Sequence, residues 1–142
     1  TGLEKFIQDK KQEIYKQGYS VTDGGRKRVY SNIKTQDEKL SDSYLRSAFN
    51  HIIQGTAGEI FKGALLRVNK FIGDNKLAVT VLLPVHDEIL FEIDNSVQQK
   101  EISNILQGQM YSEFKGIKLT TEAKWGYNWK DMEKIVVHFP LI

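Results

Sequence analysis

The chain has 142 residues, the size of one domain with its own core, and its 40% apolar and 27% charged content is typical of globular proteins. The net charge of +2 is too small to indicate nucleic-acid binding unless the basic residues cluster, and the absence of cysteine excludes disulfides and thiolate metal sites. No apolar run could span a bilayer and no signal-peptide pattern is present, so we expect a cytoplasmic protein without a membrane partner.

The first predicted elements are a helix and a short hairpin. Apolar side chains recur at helical spacing over residues 3 to 17, and Gly18 is expected just past the last turn. Residues 19–22 and 28–30 are expected to form the strands of a hairpin. Asp23-Gly24-Gly25 provides standard turn chemistry between them.

A basic arm, Arg26-Lys27-Arg28, lies on the return side of this hairpin. Three cations on one short arm can neutralise part of a nucleic-acid backbone, which predicts phosphate contacts. The alternative interpretation is a solvated basic loop with no binding role.

Residues 32–42 are polar and predict an exposed connection, whereas residues 43–72 show a helical pattern. We expect that helix to be broken or bent near Gly55. If a new helix starts there, Thr56 and Glu59 can form a capping box. Seven apolar residues at three- and four-residue spacing predict a face packed on the core: Ala57, Ile60, Phe61, Ala64, Leu65, Val68 and Phe71.

Upstream of that face, Arg46, Asn50 and Gln54 are spaced four residues apart, which places them on one side of a helix. This polar stripe can be a solvated helix surface. It is also what contact with a minor groove requires, because such side chains donate to the N3 and O2 acceptors that all base pairs share. The stripe then binds a duplex without distinguishing its sequence.

The most informative stretch is a hairpin after a turn at Gly73-Asp74-Asn75. Apolar runs of residues 77–85 and 89–93 flank His86 and Asp87, which lack the positive-φ chemistry usual in a two-residue turn. Adjacent carboxylates on Asp87 and Glu88, between strands apolar enough to be buried, favour a cation such as Mg²⁺ or Mn²⁺. The alternative interpretation is a solvated hairpin tip.

The last third predicts a helix over residues 97–114, ended by Gly116. Residues 117–121 alternate as a strand that can pair with the central hairpin. Residues 125–129, WGYNW, are most simply explained by aromatic packing. With no linker or repeat, residues 1–142 predict a single unit of the α+β class, in which an antiparallel sheet centred on the hairpin packs against helices.

Four segments in this order, GRKR, R-x3-N-x3-QG, VHDE and GYNW, resemble the carboxy-terminal part of the family A DNA polymerases, the DNA polymerase I type. The resemblance runs from Thr1 to about Met132. Its most specific parts are NHIIQGTAGEI, which starts at Asn50, and PVHDEILFE, which starts at Pro84. It implies part of a polymerase palm with the base of the fingers.

The resemblance also implies residue roles. The VHDE hairpin is similar to motif C of the palm, which makes Asp87 the metal-binding aspartate, Glu88 its supporting acid and His86 a contact to the primer end. The polar stripe matches positions that contact the primer-template duplex. Arg26, Lys27 and Arg28 match an arm at the base of the fingers. The complete enzyme would use Mg²⁺ or Mn²⁺, primer-template DNA and a deoxynucleoside triphosphate.

Several departures from the family pattern stand out. Pro84 replaces a usual glutamine, so its strand must be an edge or carry an irregularity. Tyr30-Ser31 replaces a usual Leu-Pro, and residues 133–142 extend past the usual aromatic terminus. These differences indicate a divergent member, such as a phage or other viral one acting in the host cytoplasm.

The family's other metal-binding aspartate and its nucleotide-gripping helix have no counterpart in these residues. We therefore expect an excerpt or one piece of a split polymerase that is inactive alone, binds metal only with the missing aspartate, and requires the remaining polymerase portion. Two alternatives stay open. One is a non-catalytic module that binds primer-template DNA, and the other is a metal-dependent nuclease that uses Asp87, Glu88 and Glu92.

Overall fold

A computed structural model describes residues 2–135, and its contacts group into two compact units, Thr1–Glu59 and Ile60–Ile142. Three helices and eight short strands occur in the described part: α1 Gly2–Gln17, β1 Tyr19–Val21, β2 Lys27–Val29, α2 Glu38–Asp74, β3 Val79–Val85, β4 Glu88–Ile93, α3 Gln99–Met110, β5 Ser112–Phe114, β6 Ile117–Leu119, β7 Ala123–Trp125 and β8 Glu133–Ile135. The strands pair consecutively into antiparallel hairpins. The predicted α+β class is confirmed.

The first unit begins as the sequence predicts. Helix α1 ends where Gly18 adopts a φ of +76° and its amide donates to the carbonyl of Ile14 at 2.8 Å. Strands β1 and β2 follow, and Gly25, with a φ of +91°, turns the chain between them. A core of four buried residues then closes this unit: Ile14, Tyr30, Ile33 and Ala48.

Three expectations for residues 32–76 differ from the structure. Residues 32–42 are not simply an exposed connection, because Ile33 is buried in the core and helix α2 already starts at Glu38. Asp37 caps that helix, its carboxylate accepting from the Leu40 amide at 3.1 Å. Helix α2 also runs without a break through Gly55 to Asp74. The turn that follows it lies at Asn75-Lys76 rather than at residues 73–75.

The second unit packs the β3–β4 hairpin against helices. Buried side chains from the end of α2, from β3 and from α3 form its core: Val68, Ile72, Val79, Ile102 and Leu106. Partly buried Phe91 and Ile93 of β4 pack on the same core. This arrangement agrees with the predicted hairpin and anchors its base. The predicted apolar face of α2 is only partly confirmed: Val68 lies in this core and Ala64 is buried, but Ala57 is exposed. Ile72, which the prediction omitted, also lies in the core.

The predicted helix over residues 97–114 is too long. Helix α3 ends at Met110, where the Arg67 guanidinium donates to the carbonyls of Gln109 and Tyr111 at 3.1 and 3.0 Å. Residues 112–114 instead form β5, which pairs with β6. Gly116 therefore lies in a hairpin turn, and residues 117–119 pair with β5 rather than with the central hairpin. The helical pattern misled because a three-residue strand carries too few side chains to show its own period.

The aromatic segment is only partly packed. Trp125 and Tyr127 meet edge to face with ring centroids 5.1 Å apart, but Tyr127 and Trp129 are exposed. Asn128 organises the turn, since its Oδ1 accepts from the amides of Lys130 and Asp131 at 3.0 Å each. The predicted extension over residues 133–142 begins as β8, and its residues 136–142 lie outside the described part. None of the helices in residues 2–135 is both long and apolar enough to cross a membrane.

Candidate functional site

The predicted central hairpin is confirmed, and its tip holds the candidate catalytic residues. Val85 pairs with Glu88, which leaves His86 and Asp87 as a two-residue turn. His86 has a φ of +53°, in the left-handed region. That conformation costs a residue with a Cβ roughly 1–2 kcal/mol, although histidine enters it more often than most residues.

Another hairpin of the same chain, β5–β6, has the glycine that two-residue turns usually contain at a positive-φ position. The β5–β6 turn is also two residues long, and its Lys115-Gly116 pair has φ values of +51° and +80°. Glycine there supplies a positive φ without strain. At the central hairpin the chain instead places an imidazole and a carboxylate. Strain at such a position is a reason to look for a functional role.

The strand of Pro84 was expected to be an edge or to carry an irregularity; β3 carries one, although Pro84 itself pairs with Ile89. The register shifts between Val81 and Leu83, so Leu82 is the extra residue of a bulge, and within residues 2–135 β3 pairs with β4 alone. A bulge bends its strand and increases the local twist. It therefore influences the direction in which the His86-Asp87 tip projects.

The side chains at the tip are more exposed than the sequence suggested. His86, Asp87 and Glu88 are all exposed, and Leu82 and Leu83 keep 50% and 41% of their surface accessible. The expectation of carboxylates enclosed by buried apolar strands is therefore wrong for the described residues. The two carboxylates are open to a ligand or a partner surface.

The donor set at the tip suits a hard cation only in part. Asp87 and Glu88 offer the carboxylate oxygens that Mg²⁺ prefers. Residues 2–135 nowhere bring together three or more histidine, aspartate or glutamate side chains able to hold a metal. Asp87 and Glu88 could therefore provide only part of the ligand set of such a cation.

The polar stripe has the geometry that its spacing predicts. Arg46, Asn50 and Gln54 all lie on α2 and are exposed. Arg46 is ion-paired with Asp42, one helical turn earlier. Because exposed pairs at this spacing are weak, Arg46 remains available to bind a phosphate or a base edge.

The basic arm differs from a uniform row of cations. The Nε atom of Arg26 lies 3.4 Å from the Glu59 carboxylate, so this charge is already paired. Lys27 and Arg28 are adjacent in β2 and therefore point to opposite faces of the hairpin. The Lys27 ammonium lies 3.7 Å from the Tyr19 ring centroid, and the Arg28 guanidinium lies 5.3 Å from that of Tyr30.

The sequence did not reveal that side chains of α2 bind the β1–β2 turn that precedes the basic arm. The hydroxyl of Thr56 accepts from the Asp23 amide at 3.0 Å, and the Glu59 carboxylate accepts from the Thr22 hydroxyl at 2.8 Å. The sequence did single out Thr56 and Glu59, but as a capping box, which is wrong because α2 does not start there. The Ser20 hydroxyl also lies 2.8 Å from Nδ1 of His51, which fixes β1 to the same helix.

Two carboxyl groups with a lowered pKa, those of Asp94 and Glu122, do not belong to the stripe, the arm or the hairpin tip. Hydrogen bonds from Ser96 lower the pKa of Asp94, and a hydrogen bond from Lys134 lowers the pKa of Glu122. Both groups are exposed and fasten local structure, since Asp94 lies in the loop before α3 and Lys134 in β8. Neither belongs to the candidate site.

The described geometry thus gives two groups of candidate residues. The first unit carries the polar stripe and the basic arm, and the second carries the hairpin tip. The sequence model of the family described as DNA polymerase family A matches residues 1–131, which include both groups of residues.

Curated relatives agree with that match. DNA polymerase I of Mycobacterium leprae is 31% identical over 129 residues, which are 90% of this chain and 14% of that protein. DNA polymerase I of Helicobacter pylori is 32% identical over 134 residues, 92% of this chain and 15% of that protein. Drosophila melanogaster DNA polymerase theta is 31% identical over 130 residues, 84% of this chain and 6% of that protein. The chain thus spans a minor part of each relative.

A solved structure is also similar. It is the polymerase domain of Pol1 from M. smegmatis in complex with DNA primer-template and dNTP. The TM-score is 0.71 at 32% sequence identity, over 77% of this chain and 19% of that one.

Proposed function

Because this chain belongs to DNA polymerase family A, we propose that it contributes the motif C hairpin and a primer-template surface to a template-directed DNA polymerase. The substrates are a primer 3′-hydroxyl and a deoxynucleoside triphosphate. The observation that carries the proposal is the two-residue His86-Asp87 turn, which lies inside the family match. The solved relative binds primer-template DNA and dNTP, which supports the same ligands here.

In this proposal Asp87 is the carboxylate that holds Mg²⁺ or Mn²⁺, and Glu88 supports it. The metal, when bound, supplies charge stabilisation to the phosphoryl oxygens. The short turn fixes the Asp87 backbone, so little reorganisation is needed at the moment of reaction. His86 holds the primer end, where the 3′-hydroxyl gives up its proton to water, its oxygen bonds to the α-phosphorus, and the bond to the pyrophosphate leaving group breaks.

The polar stripe and the basic arm act on the duplex. Arg46, Asn50 and Gln54 project from one long helix, which gives them a fixed spacing along a groove. Donors of this kind bind the minor-groove acceptors common to all base pairs, as a polymerase that copies any sequence requires. Lys27 and Arg28 add phosphate contacts that do not depend on sequence.

The test is Asp87→Asn in this chain, combined with a family A polymerase portion that supplies the other metal-binding aspartate. Nucleotide incorporation should fall by at least about a hundredfold, because a group that stabilises transition-state charge is removed. Binding of primer-template DNA should change little. Glu88→Gln should have a milder effect, in line with a supporting role.

Glu92→Gln is the matched control, since Glu92 is an exposed acid of the same hairpin that lies in β4 away from the turn. It should leave incorporation unchanged. Full activity of the Asp87→Asn complex would contradict the proposal. That result would favour a non-catalytic primer-template module, an alternative that the exposed tip and its incomplete ligand set also support.

A further inference from the structure

Glu59 occupies a position that its charge alone does not explain. It lies on α2 next to the basic arm, with its side chain only 20% exposed, and pairs with Arg26. A carboxylate beside a surface that binds DNA cancels one positive charge and repels phosphate, which lowers affinity. A residue with that disadvantage needs a compensating role.

The contacts of Glu59 indicate that role. Its two oxygens accept from the Thr22 hydroxyl at 2.8 Å and from the Gly24 amide at 3.1 Å, and Arg26 lies against the first of them. One side chain thus contacts three residues of a five-residue turn. Thr22 in turn accepts from the Arg26 amide at 2.9 Å, which closes the turn around the carboxylate.

Gly24 shows that the fit is close. A Cβ built on Gly24 would lie 2.3 Å from one carboxylate oxygen of Glu59, and Gly24 does not have a positive φ. Glycine is thus required here by the approach of Glu59 and not by backbone conformation. Because the atom in the way is the end of a flexible side chain, Gly24→Ala should displace the carboxylate without unfolding the protein.

We propose that Glu59 is a positioning residue for DNA binding: its carboxylate holds the Thr22–Arg26 turn so that Lys27 and Arg28 reach phosphates in a fixed arrangement. The inference rests on the proposed function, because it assumes that the arm contacts the primer-template duplex. It assigns Arg26 to the turn and leaves the phosphate contacts to Lys27 and Arg28.

The experiment compares three variants of this chain: Glu59→Ala, Glu59→Gln and Gly24→Ala. Affinity for a primer-template duplex is measured by fluorescence anisotropy across a series of salt concentrations. Hydrogen exchange of the Gly24 and Arg26 amides is measured by NMR in the free proteins. Gly58→Ala is the matched control, because it is a glycine next to Glu59 whose added Cβ would meet nothing within 4 Å.

A positioning role and a simple charge effect of Glu59 predict opposite changes in DNA affinity when the side chain is removed. We expect Glu59→Ala and Gly24→Ala to weaken DNA binding by roughly threefold to tenfold, the effect of losing one or two hydrogen bonds. Their salt dependence should become shallower, and both amides should exchange faster. Glu59→Gln should stay close to wild type, because an amide oxygen can still accept from Gly24. Gly58→Ala should match wild type in duplex affinity and in its salt dependence, and the two amides should exchange no faster than in wild type.

Tighter binding by both Glu59 variants, with a salt slope steeper by about one unit, would overturn the proposal, since that is the result of unmasking Arg26. Unchanged affinity with lower thermal stability would also overturn it and leave Glu59 a purely structural role. If wild type itself shows no salt-dependent duplex binding, the proposed DNA contact fails. The exchange data then report separately whether Glu59 orders the turn.

Discussion

His86 is the residue at which local preference and observed backbone disagree most clearly. Its φ of +53° closes the turn that presents Asp87, and a glycine there would remove the strain. The hairpin at Lys115-Gly116 uses glycine for an equivalent turn. Keeping an imidazole at the strained position is consistent with a role at the primer end, where a glycine could make no contact.

The polar stripe yields a prediction at the same scale. Arg46→Ala and Gln54→Ala should each weaken primer-template binding by about 1–2 kcal/mol, the loss of one hydrogen bond to a ligand. The free energy of unfolding should change by less than about 0.5 kcal/mol, because both side chains are exposed. Anisotropy titration and urea denaturation measure the two quantities.

Asp42→Asn is the control for Arg46. It weakens the same Arg46–Asp42 ion pair but leaves the Arg46 guanidinium free to bind DNA. Duplex affinity should therefore not fall. If Asp42→Asn reproduces the effects of Arg46→Ala on both stability and binding, the ion pair and not a DNA contact explains them.

Helix α2 is the element on which the first unit is built. One of its sides presents the polar stripe, and another holds the β1–β2 hairpin through His51, Thr56 and Glu59. Gly55 lies between these contacts, and a Cβ there would approach Cγ2 of Thr22 to 2.6 Å. The glycine that suggested a break in the sequence is instead the point of close approach between helix and hairpin.

Gly55→Ala should therefore destabilise the chain by about 1–3 kcal/mol, the usual cost of overpacking. The buried Thr22 cannot move aside without losing its bond to Glu59. Gly58→Ala, with open space around it, should instead stabilise the helix by about 0.5–1 kcal/mol. Circular dichroism during urea unfolding is the appropriate measurement, since Trp125 and Trp129 lie outside the first unit. A stabilising Gly55→Ala would contradict this account.

At the scale of the whole molecule, the proposal gives this chain one part of a catalytic metal site, the Asp87 carboxylate with Glu88 in support. Residues 2–135 do not bring together three potential ligands, and the chain spans 14–15% of the two bacterial relatives described above. A two-metal site for nucleotidyl transfer would need more protein ligands than Asp87 and Glu88 alone. We therefore propose that activity requires ligands from a further polymerase portion.

The 142-residue chain alone should show no nucleotide incorporation with Mg²⁺ or Mn²⁺. Mixing it with a family A portion that carries the other aspartate and the nucleotide-gripping helix should restore synthesis, because the missing ligands are then present. Primer extension on a labelled duplex measures both cases. Template-directed synthesis by the purified chain, lost on Asp87→Asn, would contradict this prediction, because the loss on substitution excludes a contaminating polymerase.

The sequence by itself determined the family, the α+β class, helix α1 and the two hairpins at residues 19–29 and 79–93. The helix and both hairpins follow from apolar runs and side-chain period within a few residues, and the first hairpin also from its Asp23-Gly24-Gly25 turn. The four ordered segments were sufficient for the family because several weak matches in one order are rarely accidental.

Only the tertiary structure decided the contacts between distant residues. The continuity of α2 through Gly55, the burial of Ile33, the pairing of β6 with β5 and the hold of Glu59 on Thr22 could not be predicted from local pattern. Thr22 and Glu59 are 37 residues apart, and a local pattern carries no information about partners at that separation. Gly55 suggested a helix break and Glu59 a helix cap, because the hairpin that both residues contact is not adjacent to them in the sequence.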